Sequence, residues 1–177
     1  MGIHSQTNTR ISQAIAAHCF AYKKGGFSNR LKALFLNREK DCYNCPFIDG
    51  CLYGSTKEDV KQIKKEARKA VQGSIITHPE FTKDIKISRK SIDEWTNQPH
   101  IHYAEKNRMI LHIDEVLKKS TYLGPGDDKK NDNITIHLFE TSIKNDKTWI
   151  IVKEYTDGNT ILYSISDSDN ILKALRK

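Results

Sequence analysis

The apolar residues of this chain change their spacing near residue 120. Before that point they recur every three to four residues, which is the spacing of one face of an α-helix. Beyond it they alternate with polar residues in short runs, which is the pattern of half-buried β-strands. Helices followed by an antiparallel meander are typical of the α+β class. We therefore predict an α+β fold in which N-terminal helices and a Cys-rich knuckle precede two helices packed on a small antiparallel sheet.

Helical patterns begin at residues that can cap a helix. Thr9, Ser28, Thr56 and Ser88 each stand at the start of such a pattern, and Asp59 completes an acidic variant of the capping box with Thr56. The predicted helices span residues 9–24, 28–36, 56–72, 89–97 and 103–120, and a short helix over residues 169–175 closes the chain.

Strand patterns are concentrated after residue 120. Asp157-Gly158-Asn159 is a hairpin signal, and Asn145-Asp146 joins the two preceding strands. Pro79 disfavours the helical conformation at His78, so the segment before it is predicted to be extended. A polar loop with a Gly-Pro-Gly turn is predicted over residues 124–133. The predicted extended segments are residues 74–79, 85–87, 122–123, 134–142, 147–155 and 160–166.

The charge of the chain is unevenly placed. The net charge is +7 over 177 residues. Residues 1–80 contain 13 Lys and Arg against 7 Asp and Glu, whereas residues 81–177 contain 16 against 15. A basic front half favours a polyanionic partner such as nucleic acid, and the alternative is a solvated basic helix face. We expect a basic, helical, Cys-rich segment over residues 1–73 and a second domain over residues 74–177.

No segment of the chain has the composition of a membrane span, because no apolar run approaches the ~18 residues that a spanning helix needs. The first ten residues are polar and lack the apolar core of a secretory signal. The hydrophobic content of 37% and the charged content of 29% suit a globular protein. We therefore expect a cytoplasmic or particle-borne protein that has no membrane partner.

The four cysteines all lie in the first third of the chain. A pair separated by two residues can hold one ion from a tight turn, and thiolates suit zinc or an iron–sulfur cluster. The alternative is four reduced thiols packed in a small helical core. We expect structural zinc rather than an iron–sulfur cluster, and no cofactor for catalysis, because four thiolates leave no open position for a reacting water. The predicted ligands are Cys19, Cys42, Cys45 and Cys51, with His18 or His4 as a substitute for one of them.

Residues 85–107, IKISRKSIDEWTNQPHIHYAEKN, concentrate groups that suit phosphodiester chemistry. His100 and His102 flank one residue, and cations and aromatic residues lie beside them. An imidazole can take the proton of a ribose 2′-hydroxyl or give one to the leaving 5′-oxygen, while cations stabilise the charge on the phosphorane. The alternative is that both histidines cap or pack at the start of a helix.

Seven short segments lie in the order of a known nuclease family. They are HPEF, IKISRKSIDEW, NQPHIHYAEKN, TYLG, HLFET, TWIIVKEY and ILYSIS, and they fall between residues 78 and 166. With these segments the chain resembles the barnase/EndoU/colicin/RelE-like nuclease domain of phage minor head (MuF-type) proteins and of polyvalent proteins of mobile elements. The resemblance implies a nuclease-like fold of helices packed on an antiparallel sheet, and metal-independent cleavage of RNA.

The resemblance also implies roles for single residues. His100 and His102 lie on the PHxHY motif of the family and are its acid–base candidates. Lys86 and Arg89 lie on the KIS-type segment and would contact phosphate, which the guanidinium fork of an arginine matches well. The remaining catalytic candidates are the strand residues His137, Tyr163 and Ser164, and the candidate substrate-binding residues are Tyr103, Lys106 and Lys153. Glu154 follows Lys153 and faces the opposite side of the strand, so at most one of the two joins a given site, and the alternative for Glu154 is a solvent-facing position.

Two functions fit these patterns. The first is a metal-independent endoribonuclease, toxin-like and encoded by a phage or another mobile element, that cleaves RNA by 2′-hydroxyl transesterification. The second is a catalytically inactive module that binds nucleic acid or phage head proteins and is stabilised by a thiolate metal site. The partners that we expect are RNA, with tRNA as one candidate, or another nucleic acid, and an immunity protein if the enzyme is a toxin. Such a protein would be cytoplasmic or carried in a phage particle.

Overall fold

A computed structural model of the protein describes residues 54–176, and within this range it contains four α-helices and six β-strands. The predicted α+β class is confirmed. The predicted helices over residues 9–24 and 28–36 and the Cys-rich knuckle lie outside the described residues. The helices are α1 (Lys57–Ala70), α2 (Arg89–Asn97), α3 (Tyr103–Met109) and α4 (Ile113–Lys119), and the strands are β1 (Ile75–His78), β2 (Phe81–Lys86), β3 (Thr121–Asp127), β4 (Thr135–Ile143), β5 (Asp146–Glu154) and β6 (Thr160–Ser166).

Capping boxes begin the first two of these helices; the sequence predicts the box at Thr56 and a cap at Ser88. The Thr56 hydroxyl accepts a hydrogen bond from the Asp59 backbone N–H at 3.1 Å, and the Asp59 carboxylate accepts one from the Thr56 N–H at 3.4 Å. Ser88 and Ser91 make the same reciprocal pair at the start of α2, with both distances at 3.0 Å. Each pair satisfies two backbone groups that the helix itself leaves without a partner.

The strands form one six-stranded sheet in the order β1-β2-β6-β5-β4-β3. All neighbours are antiparallel except β2 and β6, which run parallel and pair Ile85 with Thr160 and Lys86 with Ile161. The prediction of a small antiparallel sheet is therefore wrong in size and in this one pairing. The β2–β6 contact joins strands that are separated by all three later helices, and no local sequence pattern marks such a long-range pairing.

The sheet curls so that its two edges approach each other. The Phe81 ring at the start of β2 lies 5.2 Å from the Tyr122 ring of β3 and 5.5 Å from the Phe139 ring of β4. His78 of β1 donates from Nε2 to the Ser120 carbonyl oxygen just before β3, at 3.0 Å. The β1–β2 hairpin therefore lies over the end of the sheet where β4 begins and β5 ends.

The helices cover one face of the curled sheet and build the main core with it. Ile63, Ala67 and Val71 of α1 belong to the same core as the buried residues of β2 and α2. The predicted domain boundary after residue 73 stays a prediction. A smaller cluster on the opposite face packs under a C-terminal 3₁₀ helix over Asp169–Ala174.

Two helical predictions need correction. Residues 103–120 do not form one helix, because a 3₁₀ turn over Ile110–His112 separates α3 from α4. No Gly or Pro lies in this turn, and the fully buried Ile110 and Ile113 hold it through core packing. Three helices rather than two therefore follow residue 73. The closing helix is also of the 3₁₀ type and not an α-helix.

Three strand predictions also need correction. Residues 124–126 do not start a loop but continue β3 to Asp127, and Pro125 is tolerated there because β3 is an edge strand. Strand β2 begins at Phe81 and not at Ile85. The β4–β5 turn is formed by Lys144 and Asn145, one residue earlier than predicted. Both have positive φ values, 51° and 70°, as a tight hairpin turn requires.

Candidate active site

The histidines that the sequence singles out fall into two groups at opposite ends of β5. His102 contacts Asp146, the first residue of β5, and His137 contacts Glu154, the last residue. Nine residues of extended strand place these two ends about 26 Å apart. One phosphate therefore cannot contact both groups, and each group has to be judged as a separate site.

His100 is held by both of its ring nitrogens. Its Nδ1 accepts a hydrogen bond from the His102 backbone N–H at 2.9 Å, so the ring proton sits on Nε2 and is donated to the Thr148 hydroxyl at 3.2 Å. The ring is buried, and this burial lowers the pKa of His100 below its ordinary value. The His100 imidazole is therefore neutral, and its two hydrogen bonds attach the loop between α2 and α3 to β5.

His102 lies 6.0 Å from His100, measured between ring centroids, but its surroundings are acidic. Its Nε2 is 2.6 Å from a carboxylate oxygen of Asp146. The carboxylate of Asp167 accepts the backbone N–H of Ile101 at 2.7 Å, directly between the two histidines in sequence. Two carboxylates beside the imidazoles make this end of β5 unfavourable for a phosphate.

Lys106 and Tyr103 are used inside the protein. The Lys106 side chain is fully buried, and its ammonium donates to the carbonyl oxygens of Trp95, Thr96 and Gln98 at 2.7, 3.3 and 2.6 Å. Burial lowers the pKa of Lys106 to about 7. The ammonium also lies 4.5 Å from the centre of the Tyr103 ring. Both residues thus stabilise the C-terminal end of α2, where unpaired carbonyls favour a cation.

Lys153, Tyr163 and Ser164 lie away from both histidine groups. The Lys153 ammonium sits 3.9 Å over the Tyr163 ring and 2.6 Å from the Asp128 carboxylate. Tyr163 packs against the smaller hydrophobic cluster, on the sheet face opposite the main core. Ser164 is buried and is paired with Ile151 of β5. The structure therefore does not bring these three residues to an imidazole.

His137 lies on the core-facing side of β4, beside Phe139 of the same face. On β3, Tyr122 is paired with Phe139, and Leu123 is an extra residue that forms a β-bulge before Gly124. The bulge turns Leu123 toward the smaller cluster and leaves Tyr122 facing the core side. The Tyr122 hydroxyl can thereby reach along the ladder to the ring of His137.

A chain of hydrogen bonds then crosses four strands. The Tyr122 hydroxyl is 2.8 Å from Nδ1 of His137, and Nε2 of His137 is 2.8 Å from a carboxylate oxygen of Glu154. The other oxygen of Glu154 pairs with the ammonium of Lys83 on β2. Since a carboxylate only accepts hydrogen bonds, His137 carries its proton on Nε2, and Nδ1 accepts from the Tyr122 hydroxyl. We call Tyr122, His137 and Glu154 the relay.

The ionisation of each relay residue is displaced by its neighbours. The bond from Lys83 lowers the pKa of Glu154, which keeps this group a carboxylate. Burial lowers the pKa of His137, although the bond to Glu154 opposes this effect. Burial and the charge of Glu154 raise the pKa of Tyr122. At neutral pH the relay is therefore a carboxylate, a neutral imidazole and a phenol.

Cations surround the partly exposed end of the relay. Lys83 contacts Glu154 directly, and Lys86 of the same strand bonds to Asn159 in the β5–β6 turn. Arg176 pairs with the Asp127 carboxylate at 2.7 Å and also donates to the Thr135 hydroxyl at 3.3 Å, and Thr135 is the partner of Glu154 across the β4–β5 ladder. Of the cations predicted to bind phosphate, the structure thus places Lys86 at the end of β5 that holds the relay. The exposed Arg89 at the start of α2 pairs with Asp93 at 4.0 Å.

Tyr122 and Lys83 are not among the residues singled out by the sequence, whereas Glu154 is. The contacts of Tyr122 and Glu154 with His137, and of Lys83 with Glu154, depend on a β-bulge, on strand register and on the curl of the sheet, none of which leaves a local pattern. A signal was nevertheless present, because Tyr122 lies in TYLG, His137 opens HLFET and Glu154 lies in TWIIVKEY. Three of the segments that carry the nuclease resemblance therefore each supply one relay residue.

The metal prediction concerns residues that the structure does not describe, since Cys19, Cys42, Cys45 and Cys51 all precede residue 54. Within residues 54–176, no three His, Cys, Asp or Glu side chains are grouped so that they could hold a metal ion. In the same range no helix is long and apolar enough to span a bilayer.

Comparison with known proteins places the described region in one family. No curated protein and no solved structure shows significant similarity to the chain. The model of the large polyvalent protein-associated domain 3, LPD3, matches residues 54–163, which include α1, all three relay residues and most of β6. The chain therefore belongs to the LPD3 family, a domain associated with large polyvalent proteins of mobile elements.

Proposed function

We propose that this domain is a metal-independent endoribonuclease whose acid–base group is the relay of Tyr122, His137 and Glu154. The observation that carries the proposal is the pair of 2.8 Å hydrogen bonds on the two sides of the His137 ring, one from a phenol and one to a carboxylate. A carboxylate, an imidazole and a hydroxyl in this order are the elements of an activated hydroxyl in hydrolytic enzymes.

The relay supplies a path for the proton that RNA cleavage has to move. As the ribose 2′-oxygen attacks phosphorus, its proton passes to the Tyr122 oxygen while the Tyr122 proton passes to Nδ1 of His137. Glu154 stabilises the imidazolium that forms. When the bond between phosphorus and the 5′-oxygen breaks, the same path returns a proton to the departing oxygen. The products are a 2′,3′-cyclic phosphate and a 5′-hydroxyl, and the nucleophile, the 2′-hydroxyl, is part of the RNA.

The cations beside the relay suit the charge of this reaction. The phosphorane carries more negative charge than the starting phosphodiester, so ammonium and guanidinium groups near it favour the transition state. Lys83, Lys86 and Arg176 are exposed and lie around the β5 end that holds Glu154. The proposal is centred on His137 and not on His100, because His137 bonds to a phenol on one side and to a carboxylate on the other, whereas His100 is held by a backbone N–H and a threonine hydroxyl.

The test is cleavage of mixed RNA by the purified chain in the presence of EDTA, followed by detection of 2′,3′-cyclic phosphate ends. His137→Gln should abolish cleavage. His102→Gln is the matched control, because His102 resembles His137 in having a largely buried side chain that pairs with a carboxylate. We expect this control to cleave RNA like the wild type. Loss of cleavage in the control with retention in His137→Gln would assign the chemistry to the other end of β5.

A second candidate function is a binding module without catalysis. The basic flank of α1 favours it, since Lys57, Lys61 and Lys65 are all exposed on that helix. A structural zinc bound by Cys19, Cys42, Cys45 and Cys51 belongs to the same proposal, and metal analysis of the purified chain tests it. Salt-dependent binding of RNA and DNA without any cleavage would favour this function over the nuclease.

A further inference from the structure

Most of the Lys and Arg side chains of helix α1 lie on the side of the helix next to α2. Lys57, Lys61 and Lys65 are spaced four residues apart, so they follow one another along the same side of the helix, and all three are exposed. Ile63 and Ala67, on another side, are fully buried in the core. The core contact therefore fixes the rotation of α1 and leaves this row of lysines on the outside.

One carboxylate joins the cations of the two helices. Asp93 of α2 lies 2.8 Å from Arg68 and 3.8 Å from Lys64, both on α1, and 4.0 Å from Arg89 of its own helix. Lys64 also donates to the Asn97 side chain at 2.9 Å. These contacts hold α1 and α2 side by side with their basic residues on a common surface. We call Lys57, Lys61, Lys64, Lys65, Arg68 and Arg89 the basic surface.

The basic surface carries more positive charge than its neighbours neutralise. Asp93 is shared by three of the six cations. Across residues 54–176, Lys57, Lys61 and Lys65 make no ion pair with a carboxylate. Residues 1–53 contain 7 Lys and Arg against 3 Asp and Glu, so that part of the sequence is itself basic and offers no excess of acidic residues to neutralise this surface. The complementary partner is a polyanion.

We infer that the basic surface binds the phosphate backbone of single-stranded RNA and holds the strand that the relay cleaves. The choice of single-stranded RNA rests on the proposed function, whereas the need for a row of phosphates rests on the spacing and the excess charge of the lysines. Lysine ammonium groups act as point charges on phosphates and read no sequence. The surface therefore contributes affinity that is independent of base sequence and sensitive to salt.

The experiment measures binding of labelled 2′-O-methyl RNA to the full chain over a series of salt concentrations. This RNA keeps its phosphates and lacks the attacking 2′-hydroxyl, so the relay stays intact and the strand is not cut. The test variant replaces Lys57, Lys61 and Lys65 with glutamine. The control variant replaces Lys118, Lys129 and Lys130 with glutamine, because these three lysines are equally exposed but lie on α4 and on the β3–β4 loop.

Loss of three phosphate contacts should reduce the slope of log affinity against log salt by about 2 and weaken binding about tenfold at low salt. The control variant should retain the wild-type slope. The inference is overturned if the test variant binds like the wild type, if both variants lose the same amount, or if the wild type does not bind at low salt. If the test variant binds RNA like the wild type while His137→Gln loses cleavage, the RNA-binding role of the basic surface is rejected and the nuclease function is retained. If the slope changes as expected but the wild type cleaves no RNA, the binding role is retained and the nuclease function is rejected.

Discussion

The Tyr122 hydroxyl bonds to Nδ1 of His137 although the two residues are not opposite each other in the β3–β4 ladder. Tyr122 is paired with Phe139, two residues further along β4 on the same face. The bulge at Leu123 and the rings of Phe81 and Phe139 around Tyr122 fix this diagonal contact. A packed aromatic cluster thus positions a phenol against an imidazole before any substrate binds.

Tyr122→Phe removes only the hydroxyl that begins the relay. The phenyl ring still packs against Phe81 and Phe139, so the fold should be retained. We expect the rate of RNA cleavage to fall about 10²-fold or more, the usual effect of losing a positioned proton-transfer group. Tyr155→Phe is the matched control, since the Tyr155 hydroxyl makes no hydrogen bond within the described residues. Equal rates for the two variants would exclude Tyr122 from the reaction.

Glu154→Gln should change the ionisation of His137 in a defined direction. The bond to Glu154 and its charge both raise the pKa of His137 against the effect of burial. With the charge removed, the pKa of His137 should fall further below its wild-type value. An NMR titration of the histidine ring protons measures this shift without reference to activity. A rise in the pKa of His137 would show that Glu154 is not its effective partner in solution.

Stability should decline as the pH falls below about 6.5, the ordinary pKa of histidine. Burial holds the pKa values of His100, His112 and His137 below that value in the folded state. The unfolded chain therefore binds more protons in this range. The contribution of these histidines to the free energy of unfolding is fully present above pH about 6.5, and it decreases as the pH falls toward their pKa values in the folded state.

Thermal unfolding followed by circular dichroism at several pH values between 8 and 5 checks this window. The double variant His100→Gln, His137→Gln should show a flatter dependence of melting temperature on pH than the wild type. The carboxylates of Glu105, Asp128 and Glu154 have lowered pKa values and add their own loss of stability only at lower pH. A melting temperature that rises on acidification from pH 7 to pH 5.5 would contradict the assignment.

Gly126→Ala should loosen the C-terminal segment. A Cβ at this position would lie 2.5 Å from the Ala174 carbonyl oxygen, which is backbone and cannot turn aside. We expect a loss of about 1–3 kcal/mol in the free energy of unfolding, measured with urea. Gly158→Asn is the matched control, because its φ of 78° suits asparagine and a Cβ there meets no atom within 4 Å. An unchanged midpoint for Gly126→Ala would contradict the close approach.

Features that depend on neighbouring residues were predictable from the sequence. The capping box at Thr56 and the N-cap at Ser88 are local hydrogen-bond patterns, and the structure contains both. Strand β6 has the predicted bounds, because its apolar alternation is framed by a hairpin turn with Gly158 at a positive φ. In each case the interactions that decide the structure lie within a few residues of the signal.

Features that depend on distant residues were not predictable. Pro125 has the composition of a turn, yet β3 passes through it because its edge position needs no N–H donor on that side. The parallel pairing of β2 with β6 and the break in the helix after Met109 are both set by tertiary packing.

The candidate site follows the same rule. His100 and His102 are conspicuous in sequence because they are close together, and the structure uses His100 to fix a loop. His137 stands alone in its strand, and its partners come from β3 and β5. A site assembled across strands leaves one residue in each segment, so spacing along the chain did not reveal it.

The most direct test of cleavage by the relay compares RNA with 2′-O-methyl RNA of the same sequence, each incubated in EDTA with the wild type and with His137→Gln. We expect the wild type to convert RNA to fragments with 2′,3′-cyclic phosphate ends and to leave the methylated strand intact, while His137→Gln cleaves neither. Cleavage of the methylated strand, undiminished cleavage by His137→Gln, or no cleavage of any RNA by the wild type would contradict cleavage by the relay.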